Sequence, residues 1–426
     1  VKSNGETGIR NEIRPLTGLR AVAAAWVVVY HFWLLTPGDA WGGVVVHVLP
    51  LVQSGWLGVD LFFVLSGFVL CHTYSAKLGP RPGLGASLSF WWNRLSRVWP
   101  LWAVVTVLFT GWLVVKHLTI GGDHLHEVFQ PSVGVLPLIE QLLMVQVWSQ
   151  PQSWASGAVG PGWSLSAEWL AYLAFPVLVL GLHRVRRLPA VVLGCGAVLA
   201  MTPYAVTSLV SDDGHVFAWN WLYRIAGAFV AGALVSLCVR TIERTERVRR
   251  AASVLAAAVL APVLVILWWA SIHGGEVAVV VVLFPVLIGA LSLADAGPAR
   301  FLSSSWINLA GRFSFALYLV HQCVFEVFWT AMDEVPGLAA GSELVALLLP
   351  LVLVLPVPVA YLAWRYVEEP ARLAMRRMAE QRRRRSAPAR SDRAAAASRP
   401  VAEPLPMQRR GTDSTTHDAD TVLASR

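Results

Sequence analysis

Ten runs of about twenty residues with almost no charge recur along this chain, and only a bilayer accepts that much apolar helix. The approximate spans are 17–36, 56–75, 98–116, 162–181, 189–207, 220–239, 251–271, 277–294, 307–331 and 344–364. Each crosses a hydrocarbon core about 30 Å thick at a rise of about 1.5 Å per residue. The 426 residues are 56% hydrophobic and only 14% charged, where a soluble domain carries about 25% charge. A secreted globular enzyme, a disordered chain and a soluble nucleic-acid binder are therefore excluded, and the expected fold is an all-α polytopic membrane protein. Residues 1–16 are polar and mixed in charge and the first apolar run is long enough to span, so no cleavable signal peptide is expected.

Lysine and arginine set the orientation. The loops 76–97, 182–188 and 240–250 are basic, whereas 37–55, 117–161, 208–219, 272–276 and 332–343 contain neither Lys nor Arg. By the positive-inside rule the basic loops and both termini are cytoplasmic. The apolar stretch 134–148 would put Arg184, Arg186 and Arg187 outside if it spanned, so it is expected to be re-entrant or interfacial. Residues 371–426 hold thirteen Arg against six Asp or Glu, nearly all of the net charge of +8. The expected division is a membrane domain, 1–370, and a disordered Arg-rich cytoplasmic tail, 371–426, attracted to anionic headgroups and not to nucleic acid. Cys71, Cys195, Cys238 and Cys323 lie inside apolar runs without CxxC spacing, so neither a disulfide framework nor a metal site is expected.

An ionisable side chain at membrane depth costs about 2.5 to 3.5 kcal/mol on insertion scales, so each one needs a partner or a wet site. In the first span Arg20 and His31 are eleven residues apart, a net rotation of about 20° over about 16 Å, which puts both on one face. Asp60, Glu168 and His321 lie at comparable depth. An imidazole above an arginine, with two carboxylates nearby, supplies a base and its orienting partner. The alternative for each group is a hydrogen bond that holds helices together. Arg94 and Arg97 enter the third span beside Arg20, either as snorkelling anchors or as a phosphate-binding cluster. Trp163 is a candidate pocket wall. Ser66 and Ser164 have neither a GxSxG elbow nor an SxxK partner and read as packing or capping residues.

Several segments carry a resemblance when taken in order: RPLTGLRAVAAAWVVVYHFW with its Arg-x10-His spacing, GVDLFFVLSGFVL at 58–70, RLSRVWP at 94–100, WSLSAEWLAYLAFP at 163–176, FSFALYLVHQCVF at 313–325 and RYVEEPAR at 365–372. The set resembles the acyltransferase-3 family of integral membrane O-acyltransferases over roughly residues 14–372. Two features depart from it. Thr17 stands where the family commonly has an aspartate before the glycine. Some members carry an attached extracytoplasmic hydrolase-like domain where this chain has its tail, so one polypeptide is expected to suffice or to recruit a partner.

The resemblance implies transfer of an acyl group, acetyl foremost, from a cytoplasmic acyl-CoA to a hydroxyl of a glycan, lipid-linked sugar or glycosylated metabolite at the plasma membrane. Phosphate contacts at Arg20, Arg94 and Arg97 would leave the pantetheine arm directed toward His31. His31 would be the general base, with Glu168 or Asp60 orienting it; His321, Trp163 and Ser164 are further candidates. A transporter or flippase with an intramembrane proton relay is the alternative from another class, and an idle membrane scaffold a third.

Overall fold

The computed structural model describes residues 12–35, 49–120, 134–153, 157–273, 275–338 and 342–386. Among these residues there is no strand, and nine helices are long and apolar enough to cross a membrane. In chain order the α-helices of eight or more residues are α1 (Arg14–Leu35), α2 (Gly58–Leu78), α3 (Leu84–Thr119), α4 (Val135–Leu142), α5 (Gly162–Val185), α6 (Ala190–Val210), α7 (Asn220–Arg240) and α8 (Glu246–His273), then α9 (Phe284–Leu293), α10 (Ser305–Glu334), α11 (Glu343–Val354), α12 (Pro356–Ala363) and α13 (Glu369–Ser386). The chain divides into two compact units, 1–376 and 377–426. In the second, only residues 377–386 are described, and they are helical.

Four segments refine the expected spans. The eighth is a short 3-10 stretch, Val277–Leu283, running into α9. Because 3-10 winding rises about 2.0 Å per residue, this segment still extends about 29 Å, close to the core thickness. The stretch 134–148 does not span. Its helix α4 has eight residues, about 12 Å, and Trp102 and Trp99 of α3 donate to the carbonyls of Gln141 and Leu142 at its end, at 2.6 and 3.0 Å. The third span starts earlier than its apolar window, since α3 runs 36 residues from Leu84. The expectation of disorder from 371 onward is corrected for residues 371–386, which lie in α13. Its Leu, Ala, Met, Glu, Gln and Arg residues are strong helix formers that need no apolar face to wind. Residues 387–426 lie outside the described ones.

Helix α2 is the centre of the bundle, with 83% of its apolar window buried, the highest value of the nine. It meets α7 at two reciprocal close approaches: a Cβ at Gly67 would strike the Phe229 carbonyl, and one at Gly232 the Val64 carbonyl. With no hydrophobic drive between helices in lipid, small residues that let backbones touch provide the packing. Two buried ion pairs add to it. Arg224 of α7 grips Asp60 of α2 through Nε and Nη2 at 2.9 and 2.8 Å. Lys116 of α3 meets Glu326 of α10 at 2.6 Å.

At the end away from the basic loops, Glu276 caps the 3-10 stretch. It accepts from the Ala278 N–H at 2.8 Å and the His215 N–H at 3.0 Å, and its Oε2 lies 3.3 Å from His215 Nδ1. Burial alone would raise its pKa, but the His215 and Ala278 donors outweigh burial and hold the carboxyl below its usual value. A carboxylate depressed in the folded state stabilises above its unfolded pKa, and that contribution is lost as pH falls through the folded value. Glu276→Ala is expected to cost about 1 kcal/mol, the scale of a lost cap. Thermal melts in detergent should show the difference from wild type at neutral pH and its disappearance in acid.

Candidate active site

The helix ends that carry the basic loops surround an open cavity of about 480 Å³. Four guanidinium groups line it: Arg20 of α1, Arg97 of α3, Arg312 of α10 and Arg372 of α13. Carboxylates hold three of them. Arg97 is ion-paired to Glu368, which a π-helical turn at Trp364–Glu368 turns into the protein. Arg372 binds Glu369 through Nε and Nη2 at 2.6 to 3.0 Å, and Arg312 Nη2 lies 3.4 Å from Glu12. Glu12 also accepts from Thr17 Oγ1 at 2.9 Å. A carboxylate from five residues upstream thus reaches the position before the glycine, where the chain has threonine.

Arg20 lines a second, inner cavity of about 50 Å³ as well, with Phe62, Ser164, Glu168 and Tyr318 among its other walls. Arg20 therefore stands between the two spaces. Its guanidinium lies over the Phe62 ring at 5.7 Å, and its Nε is 3.4 Å from Ser314 Oγ on α10. Glu168 Oε1 accepts from Ser66 at 2.5 Å and from Tyr172 at 2.6 Å, so two hydroxyls fix that carboxylate beside the arginine. Ser164 Oγ and Tyr318 OH are 2.6 Å apart, and both reach the Pro161 carbonyl. The Tyr318 ring in turn lies 6.1 Å from that of His321.

His321 and His31 form a pair, His321 Nε2 lying 3.2 Å from His31 Nδ1. Their hydrogen bonds assign the tautomers. His321 Nδ1 faces the Leu317 carbonyl at 3.2 Å, which only accepts, so the proton sits on Nδ1 and Nε2 of the neutral ring accepts. His31 Nδ1 faces the Val27 carbonyl at 3.0 Å and the His321 lone pair, and both require a proton on that nitrogen. The neutral His31 ring is left with an unprotonated Nε2, the atom a general base needs. His321 is fully buried, whereas His31 is half-buried and keeps accessible surface.

The expected candidates separate accordingly. Arg20 and His31 both face α10, through Ser314 and His321, as their shared helix face required. Arg97 lines the outer cavity, but Arg94 turns to Tyr74, donating to its hydroxyl at 3.0 Å and covering its ring at 5.1 Å. Among the described residues, neither Glu168 nor Asp60 hydrogen-bonds to His31. Glu168 lies with Arg20, and Asp60 belongs to Arg224, whose guanidinium stacks over Trp163 at 4.8 Å and Trp56 at 5.2 Å. Trp163 is thus a cation–π partner. The side chain within hydrogen-bonding distance of the His31 imidazole, among the described residues, is His321. Sequence reasoning did not single out Tyr318 or Arg372, although both lie inside segments that carry the resemblance, nor Arg312, which immediately precedes one of them. It also missed Arg224, although a cation within a span at the depth of Asp60 is a signal the same rule detects.

The sequence profile of the acyltransferase-3 family, described as an acyltransferase domain, matches residues 14–365. The acyltransferase MdmB of Streptomyces mycarofaciens is 30% identical over 332 residues, 73% of this chain and 78% of that protein. Protein 2 in the picA locus of Rhizobium radiobacter is 31% identical over 160 residues, 36% of this chain and 75% of that protein. A Staphylococcus aureus (strain COL) protein named as a candidate O-acetyltransferase, SACOL0978, is 25% identical over 168 residues, 39% of this chain and 24% of its own length. No solved structure matches the chain.

Proposed function

We propose that this chain, which belongs to the acyltransferase-3 family of integral membrane acyltransferases, takes an acyl group, acetyl foremost, from acyl-CoA on the cytoplasmic side of the plasma membrane. The acceptor is a hydroxyl of a glycan, lipid-linked sugar or glycosylated metabolite. The observation that carries the reading is the continuity at Arg20, which lines both the arginine-rich outer cavity and the inner one, and Tyr318 in the wall of the inner one has its ring 6.1 Å from that of His321 in the histidine pair.

CoA has phosphates at one end and a thioester at the end of a thin pantetheine arm. Arg20 and Arg97 hold the diphosphate, since guanidinium binds phosphate oxygens bidentately. The arm continues past Arg20, parting the side chains around the inner cavity, the Ser164–Tyr318 pair among them. The eleven residues from Arg20 to His31 on α1 give it about 16 Å to travel. There His31 Nε2 takes the proton of the acceptor hydroxyl as its oxygen attacks the thioester carbonyl. The tetrahedral intermediate collapses, the C–S bond breaks, and the imidazolium returns the proton to the CoA thiolate. His321 positions the base by accepting from His31 Nδ1–H, and Glu168 balances the charge of Arg20.

Membranes with and without the protein, given labelled acetyl-CoA, test the reading. The expected result is CoA thiol release, with label appearing in an esterified sugar or glycosylated product one acyl unit heavier. Solute flux across sealed vesicles without any new ester would instead favour a transporter and overturn it.

A further inference from the structure

We propose that Arg312 and Arg372, at the mouth of the outer cavity, bind the 3′-phosphate of the CoA donor; the inference rests on the acyl-CoA reading above. The order of groups along CoA decides the placement. The pantetheine arm leaves one side of the diphosphate and the adenosine the other, with the 3′-phosphate on the adenosine ribose. If the arm enters the inner cavity at Arg20, the diphosphate lies at Arg20 and Arg97, and the 3′-phosphate has to face outward. Two guanidiniums from different helices line the cavity there, Arg312 of α10 and Arg372 of α13. Arg312 reaches solvent with 47% of its side chain exposed, against 26% for both Arg372 and Arg97, so Arg312 marks the outer side and Arg372 is assigned to it as the remaining arginine of the cavity.

Both have donors to spare. Glu369 occupies Nε and Nη2 of Arg372, leaving Nη1 outside that pair, and Glu12 meets Arg312 only at Nη2, at 3.4 Å. An arginine has five N–H donors in a fixed fork. The carboxylates hold both side chains extended at the rim, and the spare edges suit the oxygens of a phosphate monoester, which a 3′-hydroxyl cannot replace. Arg20 and Arg97 meet the diphosphate that CoA and dephospho-CoA share, so the two sets of arginines are separable by ligand.

Calorimetric titration of the purified full-length protein with CoA and with 3′-dephospho-CoA tests this without an acceptor. Wild type is expected to bind CoA about tenfold or more tightly than dephospho-CoA, the scale of a lost charge-assisted pair. Arg312→Gln/Arg372→Gln is expected to weaken CoA to the level of dephospho-CoA and to leave dephospho-CoA unchanged. Equal affinities in wild type overturn the assignment independently of any variant. A double variant that weakens both ligands alike also overturns it, since the arginines then act as a general field. If folded wild type binds neither ligand, the acyl-CoA reading itself fails and this inference with it.

Discussion

Replacing His31 by alanine is expected to lower turnover by about 10²–10⁴-fold, the contribution of a positioned general base. CoA affinity should hardly change, because every guanidinium assigned to the phosphates lies at the other end of the Arg20–His31 face. The split between chemistry and binding is the informative part. If His31 served only to pack α1 against α10, its loss would lower melting temperature along with activity, and turnover corrected for folded protein would recover. His321 acts through His31, so its variants should rank by their ability to accept a proton at the Nε2 position. Gln retains an acceptor there and should keep more activity than Leu, which has none. Val27 O still anchors the base in both, so neither is expected to match His31→Ala. Turnover of His321→Leu at the wild-type level would show that the second imidazole does not position the first.

The largest effect on stability is expected at Asp60 and Arg224. Both side chains are buried, and removal of one partner from a buried ion pair leaves an uncompensated charge that costs about 3 to 5 kcal/mol. Asp60→Leu alone and Arg224→Leu alone should each lower the melting temperature sharply in detergent. The double Leu variant should recover much of the loss, because two apolar side chains on the α2–α7 contact leave no charge unpaired. Part of the deficit should persist, since Arg224 also stacks over Trp163 and Trp56. Single variants that melt with wild type would mean that water reaches the pair, contrary to its burial.

Much of the fold could be read from the chain, because the bilayer reduces the choices to one. Apolar windows locate helices, and Lys and Arg mark alternate loops. The same windows were blind to helix that extends beyond apolar sequence, which is why α3 and α13 reach further than expected. Propensity and packing, not hydropathy, continue those helices. At the candidate site, the spacing of Arg20 and His31 fixed their common face, because both lie on one rigid rod. Pairings between rods were not encoded locally. Nothing in Asp60 or Glu168 distinguishes which of several intramembrane cations each one meets, and the answers came from α7 and α1. His321 and Tyr318 sit one turn apart on α10, and their role became visible only when that face met α1. The rim arginines were hidden for a different reason: an arginine near a helix end reads as an anchor whether or not it lines a cavity.

The path from arginine vestibule to histidine pair is tested most directly by a cryo-EM map of the full chain with a non-hydrolysable acetyl-CoA analogue. Phosphate density between Arg20 and Arg97, with the arm passing Ser164 and Tyr318 and its acyl end beside His31 Nε2, is the expected result. Donor density at the opposite end of the bundle, or a headgroup in the vestibule with its arm directed away from α1, would contradict it.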